Sequence, residues 1–461
     1  MENLMEKIIS LCKRRGFVYP NSEIYGGIQG FYDYGPLGSE LQSNVKRVWW
    51  KWMVQDHENV VGINGAIITH PLVWEASGHV QNFTDPLVDC KKCHKRFRAD
   101  HLVEEFLTEE EGTTTQDRIE KIRKALKERN ITCPECGGEL ADVRKFNLMV
   151  ETSLGVVEGE KRTAYLKGEA CQTIYLDYEN VLNSTSLKIP FGIAQIGKAF
   201  RNEITPGHFL FRQREFEQWD LQWFTDPKEM EKWYEYWKNE RMNWYESLIN
   251  HKGRLRFRQH DKDELAHYAK VAFDIEYETP FGWKEWEGIH WRGDWDLSRH
   301  GQFSGKDFTY TDLKTGEKFI PWIVETSGGV DRTFLFLLID AYTEEKIGKD
   351  TRVVLRLRPD LAPNKVAVFP LVANKQDIVN KAQSVYNQLK HKIKTSWDDN
   401  GNVGKRYRRQ DEIGTPWCVT IDYQTLKDDT VTIRDRDSMG QERVSSSQLL
   451  DCFREKLDKF S

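Results

Sequence analysis

The sequence holds no run of 18 consecutive apolar residues, so nothing in its 461 positions reads as a membrane-spanning helix. Met1 to Arg15 mixes Glu and Lys with short apolar runs and lacks the apolar stretch of a secretory signal. Asn183-Ser184-Thr185 fits a glycosylation acceptor, but without such a signal it reads as a chance match. An excess of positive charge is missing too. The formal charge of -5 excludes a general basic coat, so any nucleic acid must be met by local basic patches. The expected location is cytoplasmic, and there the 8 Cys are expected as reduced thiols or metal ligands, not as a disulfide framework.

The length suggests two or three domains. With 16 Trp, the core is expected to be filled by large rings. Leu41, Val45, Val48, Trp49 and Trp52 recur at helical spacing and predict a helix over Ser39 to Met53. A strand, Ala66 to Thr69, is expected to follow and to end before Pro71. From about Asp85 to Phe146 the texture turns to charge, Cys and Gly, with an acidic run at Glu109 to Glu111, which reads as an insertion. Ile189 to Phe224 predicts two strands around the turn Ile204-Thr205-Pro206-Gly207. Met230, Trp233, Trp237, Trp244 and Leu248 mark a long helix whose aromatic stripe reads as core. Arg358 to Pro363 reads as a linker. Beyond it, strands at Val366 to Leu371, Trp417 to Tyr423 and Val431 to Arg434 alternate with helices at Ile378 to Leu389 and Gln448 to Phe460, a separate α/β module.

Cys90-x-x-Cys93 and Cys133-x-x-Cys136 are the strongest chemical signal, because two such knuckles supply the four thiolates of a closed, structural zinc site. A helix is expected between them at Arg118 to Lys127, and His94 reads as a surface residue rather than a substitute ligand. Gly192 to Ala199 nearly matches a phosphate-binding loop but is rejected: it ends in Ala199 where a hydroxyl is needed, and it reads as strand. His260, His267 and Asp261 to Glu264 lack the spacing of a metal site and read as a polar helix start. Phe200-Arg201-Asn202-Glu203 and Phe211-Arg212-Gln213-Arg214-Glu215-Phe216 set arginines beside a carboxylate and aromatic rings. Such a hairpin can fork phosphates and hold a base, although a salt-bridged surface hairpin explains it equally well. Ile323 to Arg332 reads as a buried strand, a glycine turn and an apolar helix with Arg332 at its first turn.

Pro71 with its preceding helix and strand, Phe200 to Glu203, and Gly329 to Arg332 resemble motifs 1, 2 and 3 of class II aminoacyl-tRNA synthetases. Phe31 to Gly38, Arg201 to Pro206, Arg214 to Gln218 and Gly404 to Pro416 resemble dimeric glycyl-tRNA synthetases in particular, over nearly the whole chain. The HIGH and KMSKS signatures of class I enzymes are absent.

The resemblance implies an α+β catalytic domain over 1–357, an antiparallel sheet flanked by helices with a zinc-ribbon-like insertion at about 85–146. An α/β anticodon-binding domain over 358–461, doubly wound, would follow it. It implies ATP-dependent activation of glycine and its transfer to tRNA(Gly), with Mg²⁺ beside the nucleotide, structural Zn²⁺, and a homodimer. Arg201, Glu203 and Arg332 are the expected catalytic residues: Arg201 on the α-phosphate, Glu203 on the adenine amino group, and Phe216 and Arg332 sandwiching the base. Arg212 with Arg332 would reach the outer phosphates and Glu285 the metal; Asn202, Phe211, Arg214, Glu215, Trp286, Val330 and Asp331 complete the expected ATP site. Glu169, Asp220 and Glu325, with Ser327, would crowd the glycine ammonium group. Arg98, Glu217, Gln218, Trp219, Arg292, Thr326, Gly328 and Gly329 join that set, and Lys405, Arg406, Arg408 and Arg409, with Tyr407 interleaved, would meet tRNA. The sequence departs from the family where Lys167-Gly168-Glu169-Ala170-Cys171-Gln172-Thr173 replaces Arg-Pro-Glu-Thr-Ala-Gln-Gly, where Thr326 replaces Pro, and where Asp220 replaces Glu. Lys167-Gly168 and Thr326 keep one alternative open, a class II enzyme for another small amino acid or a non-tRNA acceptor; a second alternative is an inactive RNA-binding paralogue, against which the retained Arg201, Glu203 and Arg332 speak.

Overall fold

A computed structural model describes residues 3–106, 115–156, 161–261 and 269–460. Its centre is a seven-stranded sheet built from β1 (Val60–Gly62), β2 (Phe191–Phe200), β3 (Glu215–Thr225), β4 (Leu255–Gln259), β5 (Val271–Thr279), β6 (Gly282–Gly293) and β7 (Trp322–Gly329). The spatial order is β4-β5-β6-β7-β3-β2-β1, antiparallel throughout except for β1, which runs parallel to β2.

Period-two alternation gives each face its character. On the underside, Trp219, Leu221 and Trp223 of β3 meet helix α2 (Met230–Leu248), which buries Tyr234, Trp237, Trp244 and Tyr245. Helix α1 (Pro36–Trp50) joins them, with Trp49 stacked on Trp219 at a centroid distance of 5.5 Å. Burial of each such ring contributes about 2–3 kcal/mol. The opposite face is divided. At one end Phe191, Ile193, Phe224 and Ile323 are covered by short helices, Gln172–Leu176 and Tyr178–Ser184. At the other end the same alternation presents Gln195, Gln218, Asp220, Gln222, Glu325 and Ser327, and a cavity opens over Gln218, Glu325 and Ser327. Helix α3 (Val330–Ala341) follows β7 directly and is buried along its length except at Arg332, with Phe334 to Ile339 an unbroken apolar run.

The insertion has its own small core of Val88, Ala99, Val103, Ile119, Ile122, Leu126 and Val143. Val88 comes from a three-stranded sheet (Thr84–Asp89, Arg96–Arg98, Arg144–Asn147), Ile119, Ile122 and Leu126 from the helix Thr115–Glu128, which contains the expected one, and Ala99, Val103 and Val143 from the segments between them. The acidic run at Glu109 to Glu111 lies outside the described residues, as do Lys262 to Glu264 and His267.

The C-terminal sheet has β8 (Val366–Pro370), β9 (Thr395–Trp397), β10 (Trp417–Ile421), β11 (Thr430–Asp435) and β12 (Gln441–Ser445) in the order β9-β8-β10-β11-β12. Val366 and Val368 face α4 (Gln376–Lys390) and α6 (Leu449–Asp458), whereas Ala367 and Phe369 face α5 (Val403–Glu412). Helices therefore cover both faces, as expected, and α5, β9 and β12 are additions to the predicted elements.

The short strand expected before Pro71 is present as Ile68–Thr69 and pairs with Arg162–Leu166, outside the central sheet, whose strand after α1 is Val60–Gly62; Pro71 opens a short helix, a position that needs no backbone donor. Two expectations need correction. The expected tight hairpin between β2 and β3 is a long loop, residues 201–214, holding the 3-10 turn Phe209–Phe211. The expected linker is packed: Leu361 and Ala362 are buried, and their carbonyls accept from Asn44 Nδ2 at 3.0 Å each. No helix among the described residues is long and apolar enough to cross a membrane.

Candidate active site

The cavity has a volume of about 390 Å³ and is walled by the β2–β3 loop, the open ends of β3, β6 and β7, the start of α3, and the insertion. Arg201, at the foot of the loop, is fixed by its Nε bond to the Gly168 carbonyl (3.1 Å). Its guanidinium carbon lies 5.1 Å from the Phe83 ring centre and 5.3 Å from that of Phe216. Arg332 enters from α3, donates to Glu285 (3.0 Å) and the Phe211 carbonyl (3.3 Å), and lies 4.5 Å from the Phe211 ring centre. Phe211 sits on Arg332 and Phe216 beside Arg201, and all four line one cavity, the expected sandwich partners Phe216 and Arg332 among them. Glu203 is buried there, and its Oε2 has no hydrogen-bond partner among the described residues; Arg212 stands 4.0 Å away. An orphaned acceptor of this kind waits for a donor. Arg98 reaches in from the insertion, held by Asp85 (3.1 Å) and Asp100 (2.7 Å).

Next to these arginines the sheet forms an acidic nook. Glu169 and Glu325 line it, and Asp220 lies behind them, with one oxygen buried and unbonded. Donor atoms of Cys171, Asp220 and Glu325 all lie within 4.8 Å of one another. Arg292 pairs with Glu325 and doubly with Asp296 (2.8 and 2.9 Å), while His290 stands 3.1 Å from Glu325. These contacts split the titrations. Burial alone would raise all three carboxyls. His79 and Arg292 override it and hold Glu169 well below the usual range, and Arg292 and His290 likewise hold Glu325 below it. Asp220 goes the other way, pushed well up by burial and by the charges of Glu325 and Glu169. Lys167, set where the resemblance led to an expected Arg, is buried, bonds the Gly65 carbonyl (3.2 Å) and is pulled down by that burial, with Asp220 opposing.

Alternation removes several expected residues from the cavity. Trp219 and Thr326 point to the underside. Trp286 is the extra residue of a β-bulge and hydrogen-bonds Thr333 (2.8 Å) in the core, where Val330 is buried too. Arg214 is spent on the carbonyls of Glu203 (2.9 Å) and Gln29 (3.0 Å), Glu215 pairs with Lys198, and Asn202 is exposed. Asp220 and Arg292 stand behind the wall. Glu217, Gln218, Gly328, Gly329 and Asp331 do line the cavity. Phe83, Asp85, Leu148, Gln213 and His290 also line it and were not foreseen; His290 lies two residues from Arg292 on the same strand, a spacing that carried the signal.

In the C-terminal module the basic run also divides. Arg406 is buried and donates to the carbonyls of Pro370, Asp399 (2.8 Å) and Gly401 (2.6 Å), and Arg409 grips Asp398 through two bonds of 2.8 Å. Both are held by partners within the module at positions where tRNA contact was expected, and Tyr407 packs inward on Phe369. Arg434 is bonded to Asp411 and Arg436 to Asp437. Lys405 is exposed and Arg408 half-buried.

The four insertion sulfurs converge, with Cys90 Sγ 3.5 Å from Cys136 Sγ and Cys93 Sγ 3.7 Å from Cys133 Sγ. Four thiolates at about 2.3 Å from a tetrahedral zinc ion lie about 3.8 Å apart, so the donor set fits. His94 is exposed and outside the cluster.

An antiparallel sheet with this helical flank is the core of a class II aminoacyl-tRNA synthetase, and residues 154–342 match the family described as the tRNA synthetase class II core domain (G, H, P, S and T). Residues 365–456 match an anticodon binding domain, and residues 85–122 match glycyl-tRNA synthetase insertion domain 1. The chain is 52% identical over 452 residues to a glycine–tRNA ligase of Treponema denticola, covering 97% of this chain and 95% of the relative. It is 50% identical to those of Alkaliphilus oremlandii (460 residues, 99% of each chain) and Borreliella burgdorferi (451 residues, 96% of each). The chain belongs to the glycine–tRNA ligase family, and its activity is that of an aminoacyl-tRNA ligase.

Proposed function

We propose that the cavity is where ATP and glycine are joined, and that Glu169, Glu325 and Asp220 select glycine there. The observation that carries this reading is one cavity holding Arg201, Arg332 and the orphaned Glu203 acceptor beside a nook of carboxylates. Arg201 neutralises the α-phosphate, Glu203 accepts from the exocyclic amino group of adenine, and Phe216 and Arg332 bound the base. Glu285 would be the acidic group to hold Mg²⁺ beside the nucleotide, where the ion would supply neutralisation of the phosphate charge. The glycine carboxylate oxygen attacks the α-phosphorus, and the bond to pyrophosphate breaks in line. Positioning and charge neutralisation suffice; no protein nucleophile is needed. A ribose hydroxyl of the tRNA end then attacks the carbonyl carbon of glycyl-adenylate, and AMP leaves. The glycine ammonium group is held by Glu169 and Glu325, and Asp220 closes the space behind.

The same reading assigns residues 1–357 to catalysis and 358–461 to the anticodon of tRNA(Gly), with Lys405 and Arg408 the accessible contacts. Structural zinc on Cys90, Cys93, Cys133 and Cys136, a homodimer and a cytoplasmic location complete it. Arg332→Ala and Glu203→Ala test the assignment by glycine-dependent ATP–pyrophosphate exchange. A loss of about 10²-fold or more in kcat/KM for ATP is expected from Arg332→Ala, and unchanged exchange in both variants contradicts the assignment.

A further inference from the structure

Three groups converge on one oxygen of Glu169: Gln172 Nε2 at 2.8 Å, Cys171 Sγ at 3.0 Å and His79 Nε2 at 3.4 Å, all on Oε1. The nook assignment gives Glu169 its role, but nothing in it accounts for His79. This imidazole is buried between the rings of Trp74 and Phe83, at centroid distances of 5.1 and 5.2 Å. Its other nitrogen, Nδ1, lies 2.9 Å from Ser77 Oγ. Gly78, at φ 82°, makes the turn that brings Ser77 and His79 to the same side, a conformation open to glycine.

Proton bookkeeping at this triplet has one solution. A nitrogen facing a carboxylate must carry hydrogen, so the neutral ring is protonated at Nε2 and accepts at Nδ1 from the Ser77 hydroxyl. Ser77 Oγ has a second acceptor within reach, the Trp74 carbonyl at 3.4 Å. The neutral ring leaves the full negative charge of Glu169 to an incoming ammonium group.

We propose that His79 is a positioning residue for glycine recognition, holding Glu169 through Nε2–H with Ser77 fixing the tautomer. The proposal rests on Glu169 binding the substrate ammonium group. Charged groups around His79 are Glu169 itself, Arg201 over Phe83, Arg292 acting on Glu169, and Arg299, which donates to the Ala76 carbonyl at 3.1 Å. The three arginines keep their charge across the working range. His300 bonds Gln172 Oε1 at 2.9 Å and is held toward its neutral form by burial. On the far wall His290 attends Glu325.

The test is glycine-dependent ATP–pyrophosphate exchange by the parent enzyme and by His79→Ala, His79→Gln, Ser77→Ala and Glu169→Gln. His79→Ala is expected to raise KM for glycine about tenfold while leaving KM for ATP unchanged and kcat within about twofold. His79→Gln, whose amide N–H replaces the imidazole donor, is expected to recover most of that loss. Ser77→Ala is expected to fall between parent and His79→Ala. An unchanged KM for glycine in His79→Ala, or no recovery in His79→Gln, overturns the proposal. Should His79→Ala fail to fold, Ser77→Ala decides, and a KM for glycine equal to the parent's overturns the proposal. Glu169→Gln separates the two levels: if it leaves KM for glycine unchanged, the nook assignment itself is wrong; if it raises KM and His79→Ala does not, only the role of His79 is wrong.

Discussion

Beneath the floor of the cavity the guanidinium of Arg241 is clamped on the carboxylate of Glu287, with both side chains wholly buried. Tyr245 Oη (2.7 Å) and Trp219 Nε1 (3.1 Å) donate to the same carboxylate, so α2, β3 and β6 are tied together at one point. That point lies under Gly328, where an added Cβ would come within 2.8 Å of Glu287 Oε2 and 3.0 Å of Tyr245 Oη. A buried pair repays little of its desolvation as stability, but losing one partner strands the other. Glu287→Ala is therefore expected to destabilise the chain by about 3–5 kcal/mol in denaturant unfolding. Gly328→Ala is expected to lower exchange activity by pushing the cavity floor upward. A Glu287→Ala variant as stable as the parent contradicts this account.

Asp331, in the first turn of α3, accepts from the Glu217 N–H at 2.6 Å and from the Tyr34 hydroxyl. Burial pushes its carboxyl up to about 6, with those two bonds pulling the other way. A carboxyl raised in the folded state adds stability that is full below its unfolded value near 4 and is lost as pH rises through about 6. Relative to the parent, Asp331→Asn should therefore gain stability as pH rises from about 4 to about 6.5, by at most about 3 kcal/mol. Urea unfolding of both proteins across that range measures the difference, and a difference that does not change with pH rules out the assignment.

The zinc assignment predicts about one zinc ion per chain by elemental analysis. Cys136→Ser should lose the metal and loosen the insertion, seen as faster proteolysis within residues 85–146. Because Arg98 and Asp85 reach the cavity from this insertion, KM for ATP or glycine should rise in the same variant. Full activity without metal would separate the insertion from catalysis.

On the anticodon side, the structure separates two kinds of basic residue. Lys405→Ala and Arg408→Ala are expected to raise KM for tRNA severalfold and leave pyrophosphate exchange intact. Arg406→Ala removes the donor to the carbonyls of Pro370, Asp399 and Gly401, so it should lower the melting temperature instead. Equal effects of all three on tRNA binding with no change in stability would restore the reading of the run as one contact surface.

Much of the architecture was legible in residue order. α1 and α2 announce themselves by apolar spacing, β2 and β3 by alternation, and β7 by a short apolar run before a glycine turn. What alternation implies for the site was harder to see: Trp219 and Thr326 sit between Gln218, Asp220, Glu325 and Ser327 in sequence, yet their side chains face the other way. Trp286 escapes even that rule, because a bulge inserts it. Arg406 and Arg409 looked like solvent-facing charge, since a cage of backbone carbonyls and a partner such as Asp398 leave no mark in composition. The turn that sets Ser77 against His79 and His79 against Glu169 joins positions about ninety residues apart, and only the fold brings them together.

Selection of glycine by the carboxylate nook is measured most directly by ATP–pyrophosphate exchange with glycine, alanine, serine and proline supplied one at a time. The account predicts exchange with glycine and, for alanine, a kcat/KM lower by about 10²-fold or more, because a Cβ would have to enter the space closed by Asp220 and Ser327. Exchange with alanine or serine as efficient as with glycine would contradict it.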